Sequence, residues 1–133
     1  MKFALKKILN TYIVKPRVNL KGVGNKVSIS PKVYSRKLRI NVNGNNNTVV
    51  IDDGAFLHYT KINIGFPDCP IDNCYVHIGK NTRINGAFIQ LGEQESEITI
   101  GENCLISDNV EISCTDTHSI CDFDGNLLNI GKF

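Results

Sequence analysis

The chain has 133 residues, 41% of them hydrophobic and 21% charged, which bounds it as one globular domain with a core of its own. No stretch is long and apolar enough to span a bilayer. The net charge of +2 hides an asymmetry: residues 1–39 carry eleven Lys or Arg and no Asp or Glu, whereas residues 40–133 carry four basic and thirteen acidic residues, so the two parts stand at +11 and −9.

The opening MKFALKKILNTYIVKP is not a secretory signal, because Lys6 and Lys7 interrupt its apolar run and no small-residue cleavage site follows. Phe3, Leu5, Ile8, Leu9, Tyr12 and Ile13 recur at helical spacing, lysines mostly lie between them, and Pro16 ends the pattern. The expectation is a short N-terminal amphipathic helix within a basic leader, residues 1–26. Such a helix packs on its own domain or a neighbouring subunit, or rests on an anionic membrane surface. Five cysteines, an odd number without an export signal, predict reduced thiols and a cytoplasmic location, with peripheral attachment at the inner membrane surface as the variant the basic leader suits.

From Val27 the chain aligns on itself. VSISPKVY from Val27, VVIDDGAF from Val49, VHIGKNTR from Val76, ITIGENCL from Ile98 and LNIGKF from Leu128 share an apolar residue two places before an anchor isoleucine. The anchors are Ile29, Ile51, Ile78, Ile100 and Ile130, spaced 22, 27, 22 and 30 residues apart. Four places after the first four anchors stand Val33, Ala55, Thr82 and Cys104, mostly small. A second strip follows as Ile40/Val42, Ile62/Ile64, Ile89/Leu91 and Ile112/Cys114, and a spacing of six links Ile100, Ile106 and Ile112. Aliphatic residues opening six-residue strips, with Gly, Asn and Asp between, predict a parallel β-helix over residues 27–133. Three strips make a coil of about eighteen residues, so excesses of about 4, 9, 4 and 12 loop out of the wall. Asn43, Asn45, Asn46 and Asn47 are assigned to the turn after the second strip, where Asn tolerates left-handed backbone angles. Helical repeats are excluded by the recurrent strand-breaking Gly and Asn clusters, and a β-sandwich does not require isoleucine at one phase of successive long repeats.

The longest excursion, residues 114–129, contains CTDTHSIC. Asp116 and His118 lie two apart, and a neutral imidazole with a pKa near ~6.5 is suited to take a proton from a hydroxyl. An exposed loop histidine without a role is the bland alternative. Cys114, His118 and Cys121 also read as C-x3-H-x2-C, three soft ligands where structural zinc takes four. Cys114 occupies an inward repeat position, so no metal is expected. His58 and His77 are read as surface residues, and Cys69 and Cys74 as loop residues. No nucleotide-binding glycine loop, nucleophile elbow or zinc-protease motif appears. Ranks of threonine suited to ice are absent from successive coils, and nucleic acid is not an expected partner because the basic leader lacks interleaved aromatics.

The run ITIGENCLISDNVEISCTDTHSICDFDGNLLN resembles the segment around the active-site histidine of hexapeptide-repeat acyltransferases, especially capsule and surface-polysaccharide O-acetyltransferases. The matching positions are Ile100, Gly101, Cys104, Ile106, Ser107, Val110, Ile112, Asp116, His118, Ser119, Ile120, Asp122, Gly125, Leu128 and Asn129. Repeat similarity covers residues 27–133, and D-x-H-S-I is its specific part. The resemblance implies an all-β, left-handed parallel β-helix, usually a homotrimer, that moves acetyl from acetyl-CoA to a hydroxyl of a carbohydrate acceptor. His118 matches its catalytic base and Asp116 the accompanying acid. Relatives continue through further coils that hold the CoA arm, whereas here Ile130-Gly-Lys-Phe133 opens a coil. That predicts a fragment, the product of a truncated gene, or a subunit completed by another chain. The second functional expectation is therefore a non-catalytic, truncated β-helix acting as a scaffold or assembly fragment.

Overall fold

The computed structural model describes residues 15–115, 118, 120–126 and 128. Thirteen short strands form three all-parallel sheets. Sheet A contains β1 (Arg17–Lys21), β4 (Arg39–Asn43), β7 (Lys61–Ile64), β10 (Ala87–Leu91) and β13 (Val110–Ser113). Sheet B contains β2 (Lys26–Ile29), β5 (Thr48–Ile51), β8 (Tyr75–Ile78) and β11 (Glu97–Ile100). Sheet C contains β3 (Tyr34–Arg36), β6 (Phe56–His58), β9 (Arg83–Ile84) and β12 (Leu105–Ile106). Each coil gives one strand to each sheet, so the chain winds a three-walled parallel β-helix, the expected architecture.

Register follows the repeat residue for residue. Ile29 pairs with Ile51, Ile51 with Ile78 and Ile78 with Ile100, so the anchors form one inward ladder. On sheet A, Ile40 pairs with Ile62, Ile62 with Ile89 and Ile89 with Ile112. Alternation along a strand sends these side chains inward and their neighbours to solvent. Ile40, Val49, Leu57, Ile62, Val76, Ile78, Ile84 and Ile89 are fully buried. Each buried aliphatic side chain contributes roughly 1.5–3 kcal/mol of transfer free energy, and only stacked coils provide that burial.

The corners need backbone that turns sharply within one or two residues. Left-handed angles recur at equivalent places: Gly54, Asn81 and Asn103 between sheets B and C, and Gly24, Asn46, Asn73 and Glu95 between sheets A and B. Between sheets C and A the positions are Lys37, Tyr59 and Asn109. Thr82, four places after Ile78, is buried with its hydroxyl donating to the Gly101 carbonyl at 2.6 Å and accepting from Cys104 N–H at 3.1 Å. A small residue recurs there because the corner leaves little room inside.

Every excursion beyond the short coil leaves from one corner, after the sheet A strand. Residues 44–47, 65–74 and 92–96 follow β4, β7 and β10 in turn, and the histidine loop follows β13. Of the four asparagines assigned to left-handed turns, only Asn46 has a positive φ, +56°. Asn43 instead donates to the Phe66 and Pro67 carbonyls, and buried Asn47 bonds to Ile71 and Cys74, so these two close the next coil's excursion. The expected N-terminal helix lies in residues 1–14, outside the described residues. Within the segment read as a leader, β1 pairs in parallel with β4 and adds a fifth strand to sheet A. No helix occurs among the described residues, and none is long and apolar enough to cross a membrane.

Candidate functional site

The loop that carries His118 begins as a continuation of the sheet A ladder. Cys114 N–H donates to the Gln90 carbonyl at 3.0 Å, and the buried Cys114 thiol turns inward, 3.6 Å from the Glu97 carbonyl. Burial first, and then the neighbouring Cys74, pushes the Cys114 thiol above its ordinary pKa, so it is held as a neutral core thiol. That orientation removes it from a zinc set with His118 and Cys121. Among the described residues no three His, Cys, Asp or Glu side chains gather as a metal site.

Thr115 fixes the direction in which the loop departs. The Ser113 hydroxyl donates to the Thr115 carbonyl at 2.8 Å and accepts Thr115 N–H at 3.3 Å, while Thr115 Oγ1 lies 3.2 Å from Glu93 Oε1. Beneath it is Gly92. A Cβ at Gly92 would stand 2.5 Å from Thr115 Cγ2 and 2.9 Å from the Phe66 ring, so absence of a side chain lets the threonine methyl and the ring close over this position. Three excursions thus meet at one place: Phe66 from the second coil, Gly92 and Glu93 from the third, and Thr115 from the fourth.

His118 follows three residues later and is exposed. Asp116, its expected acidic companion, lies outside the described residues. Beyond His118 the chain doubles back through a tight turn at 122–126. One Asp122 oxygen accepts the backbone N–H groups of Asp124 and Asn126 at 2.9 and 2.8 Å, the other accepts Asn126 Nδ2 at 2.8 Å, and Gly125 takes a φ of +84°. The Asn126 side chain and then its backbone N–H hold the Asp122 carboxyl below its usual pKa, against a small opposing effect of burial. Leu128 N–H donates to the Ile120 carbonyl at 2.6 Å and closes the turn. An exposed imidazole is therefore presented between a seated loop entry and a self-bonded turn.

The two remaining histidines lie elsewhere. His77 Nε2 is 2.8 Å from Asp52 Oδ2 on the outside of sheet B, a pair joining successive coils. His58, on the outside of sheet C, stacks at 4.1 Å on Phe56; burial, then Arg36 and Arg83, lowers its pKa. Sequence reasoning found neither the Asp52–His77 pair nor the Phe66–Gly92–Thr115 contact. For the pair the signal was available, since positions just after one anchor and just before the next lie side by side in adjacent coils. For the contact it was weaker: Gly65 and Gly92 both follow a second strip directly.

No family model matches the sequence, and no curated protein matches it. Among solved structures, that of the polySia specific acetyltransferase NeuO superimposes with a TM-score of 0.61 and 25% sequence identity, over 86% of this chain. The matched region spans 60% of the length of that acetyltransferase. The chain is a parallel β-helix of hexapeptide repeats, similar in fold and in a quarter of its aligned residues to an acetyltransferase.

Proposed function

We propose that the protein is an acetyl-CoA-dependent O-acetyltransferase acting on a hydroxyl of a carbohydrate, with His118 as the general base. The observation that carries this reading is an exposed histidine, in the stretch resembling the acetyltransferase active-site loop, on a wall whose shape is that of a solved acetyltransferase.

In this reaction the imidazole of His118 accepts the proton of the acceptor hydroxyl as its oxygen attacks the thioester carbonyl carbon. The tetrahedral intermediate collapses, the carbon–sulfur bond breaks, and the imidazolium returns the proton to the departing thiolate. Acetyl ester and free CoA thiol result, and His118 is neutral again. Positioned proton transfer of this kind contributes about 10²–10⁴-fold. Asp116 is assigned to orient the ring and stabilise its charged form. A homotrimer is the assembly proposed, with neighbouring copies completing the donor site.

The test incubates the protein with acetyl-CoA carrying an isotopically labelled acetyl group and a panel of glycans, and measures alkali-labile label in the glycan together with free CoA thiol. Equal amounts of both are expected. Thiol release without glycan ester would remove the assignment of a carbohydrate acceptor.

A further inference from the structure

The first coil, residues 17–38, forms one end of the solenoid, because β1, β2 and β3 each stand at the edge of their sheet. Val18 and Leu20 hold the inward phase of their partners one coil on, Ile40 and Val42. Those partners are buried, whereas Val18 and Leu20 are each 43% exposed, since β1 has a neighbouring strand on one side only. Val23 is 72% exposed at the adjoining corner, between Gly22 and Gly24, whose φ angles are +106° and +72°. Its N–H donates to Asn45 Oδ1 at 2.9 Å and its carbonyl accepts Asn46 N–H at 2.9 Å. The turn is thus pinned to the second coil through its backbone, and the valine side chain is left to solvent.

Around this apolar end the same coil sets a ring of cations. Arg17 stands on sheet A, Lys21 at the corner with sheet B, Lys26 on sheet B, Lys32 at the corner with sheet C, Arg36 on sheet C and Lys37 at the corner back to sheet A. Every wall and every corner carries one, and residues 15–38 contain no Asp or Glu. Among the described residues no ion pair takes up Arg17, Lys21, Lys26, Lys32 or Lys37. The carboxylates of the second coil, Asp52 and Asp53, bond to His77 and to the Ser30 hydroxyl. Lysines on edge strands also discourage pairing with a foreign sheet, but that role needs neither a ring closed through the corners nor an exposed valine. Residues 1–14, with Lys2, Lys6, Lys7 and their apolar positions at helical spacing, join the molecule at this same edge, since β1 begins at Arg17.

We propose that this end of the β-helix docks on an anionic lipid surface, with the coil axis upright on it. Lysine and arginine stems extend from the rim to place their charges among lipid phosphates, while Val18, Leu20 and Val23 meet the apolar boundary beneath the headgroups. Water in the headgroup layer satisfies the unpaired backbone groups of the three edge strands. The same end of a second copy would bring two cation rings together, and residues 1–14 folded over the end would set Lys2, Lys6 and Lys7 against the ring. An anionic surface neutralises both sets of charge. In sheet A, β13 lies four strands from β1, so the loop of His118 stands about 19 Å above the first coil. Docking therefore fixes the height of that loop over the membrane, and it does so whatever reaction His118 performs.

The experiment is co-sedimentation of the full chain with phosphatidylcholine vesicles and with vesicles containing phosphatidylglycerol, beside binding of a DNA oligonucleotide. Expected is binding that rises with the phosphatidylglycerol fraction, weakens as salt rises and is absent on phosphatidylcholine. Lys21→Gln with Lys26→Gln should weaken it about 30-fold, about fivefold per charge. Val23→Ser should weaken it about tenfold and leave the salt dependence unchanged. Arg83→Gln, on sheet C two coils away, should not change it. The chain has no Trp, so the Val23→Trp and Leu105→Trp proteins each carry a single reporter. Brominated phosphatidylglycerol should quench the first and spare the second, which replaces an exposed leucine of the fourth coil. No vesicle binding would leave the cations as guards of open strand edges and overturn the proposal. So would equal binding to phosphatidylcholine, tighter binding of DNA than of vesicles, or equal quenching at both positions. Insensitivity to the Lys21 and Lys26 changes would overturn it as well, because attachment through residues 1–14 alone gives that result.

Discussion

The side-chain carbonyl of Asn47 accepts the backbone N–H of Cys74 at 2.9 Å, across one full coil, while its amide donates to the Ile71 carbonyl at 2.8 Å. Asn47 is buried, so neither partner has water to replace it. Asn47→Ala leaves a buried donor and a buried acceptor unmatched, at about 1–3 kcal/mol each. A stability loss of about 2–4 kcal/mol by denaturant unfolding is expected; a loss below half of that would mean the 65–74 excursion is held by other bonds.

Gly92→Ala tests the seating of the histidine loop. The new methyl would stand 2.5 Å from Thr115 and 2.9 Å from Phe66, so the threonine, the ring or both must move. Overpacking of this order destabilises by about 1–3 kcal/mol. Displacing the entry to the loop by about 1 Å lowers transfer on the order of 10²-fold, far more than the stability loss implies. Unchanged turnover in a folded Gly92→Ala protein would show that Thr115 does not position His118.

How far the fold could be read from the sequence follows from stacking. Parallel coils in register put Ile29, Ile51, Ile78 and Ile100 in one ladder, so the demand for a buried aliphatic residue recurs at one phase and is visible. In the first coil the third-sheet position is Ser35, buried but polar, and the phase is lost there. RVNLK at β1 matches RINVN one coil later, yet its charge drew it into the leader. The excursions close through bonds such as Asn43 to Phe66 and Asn47 to Cys74, more than twenty residues apart, which no local pattern announces. The assignment of His118 rests on family resemblance, because D-x-H by itself describes many loops.

His58 carries a pH prediction. Burial, with Arg36 and Arg83, holds its folded pKa below the ordinary value, so between the folded pKa and about 6.5 the unfolded chain binds more protons. Its contribution to stability therefore falls as pH drops through that window. Arg83→Gln removes one of the two cations and should raise the His58 pKa, read from its imidazole resonances. A fall in that pKa would contradict the assignment.

Thiol reactivity separates wall from excursion. Cys69 and Cys121 are exposed, Cys74 and Cys114 are buried, and the Cys114 thiol is held above its ordinary pKa. Alkylation of the folded protein near neutral pH should modify Cys69 and Cys121 first and Cys114 only after unfolding, as followed by peptide mass spectrometry. Cys114 reacting as fast as Cys121 would place it in the loop rather than in the core.

The most direct measurement compares acetyl transfer by His118→Ala and His77→Ala proteins. His77 has a carboxylate partner, Asp52 at 2.8 Å, and lies on another wall, so its loss removes a partly exposed hydrogen bond of about 0.5–1.5 kcal/mol and should leave turnover within about twofold. Loss of His118 should lower kcat by about 10²–10⁴-fold with circular dichroism and oligomeric mass unchanged. Equal turnover in the His118→Ala protein, or a loss that falls on His77→Ala instead, would contradict the account.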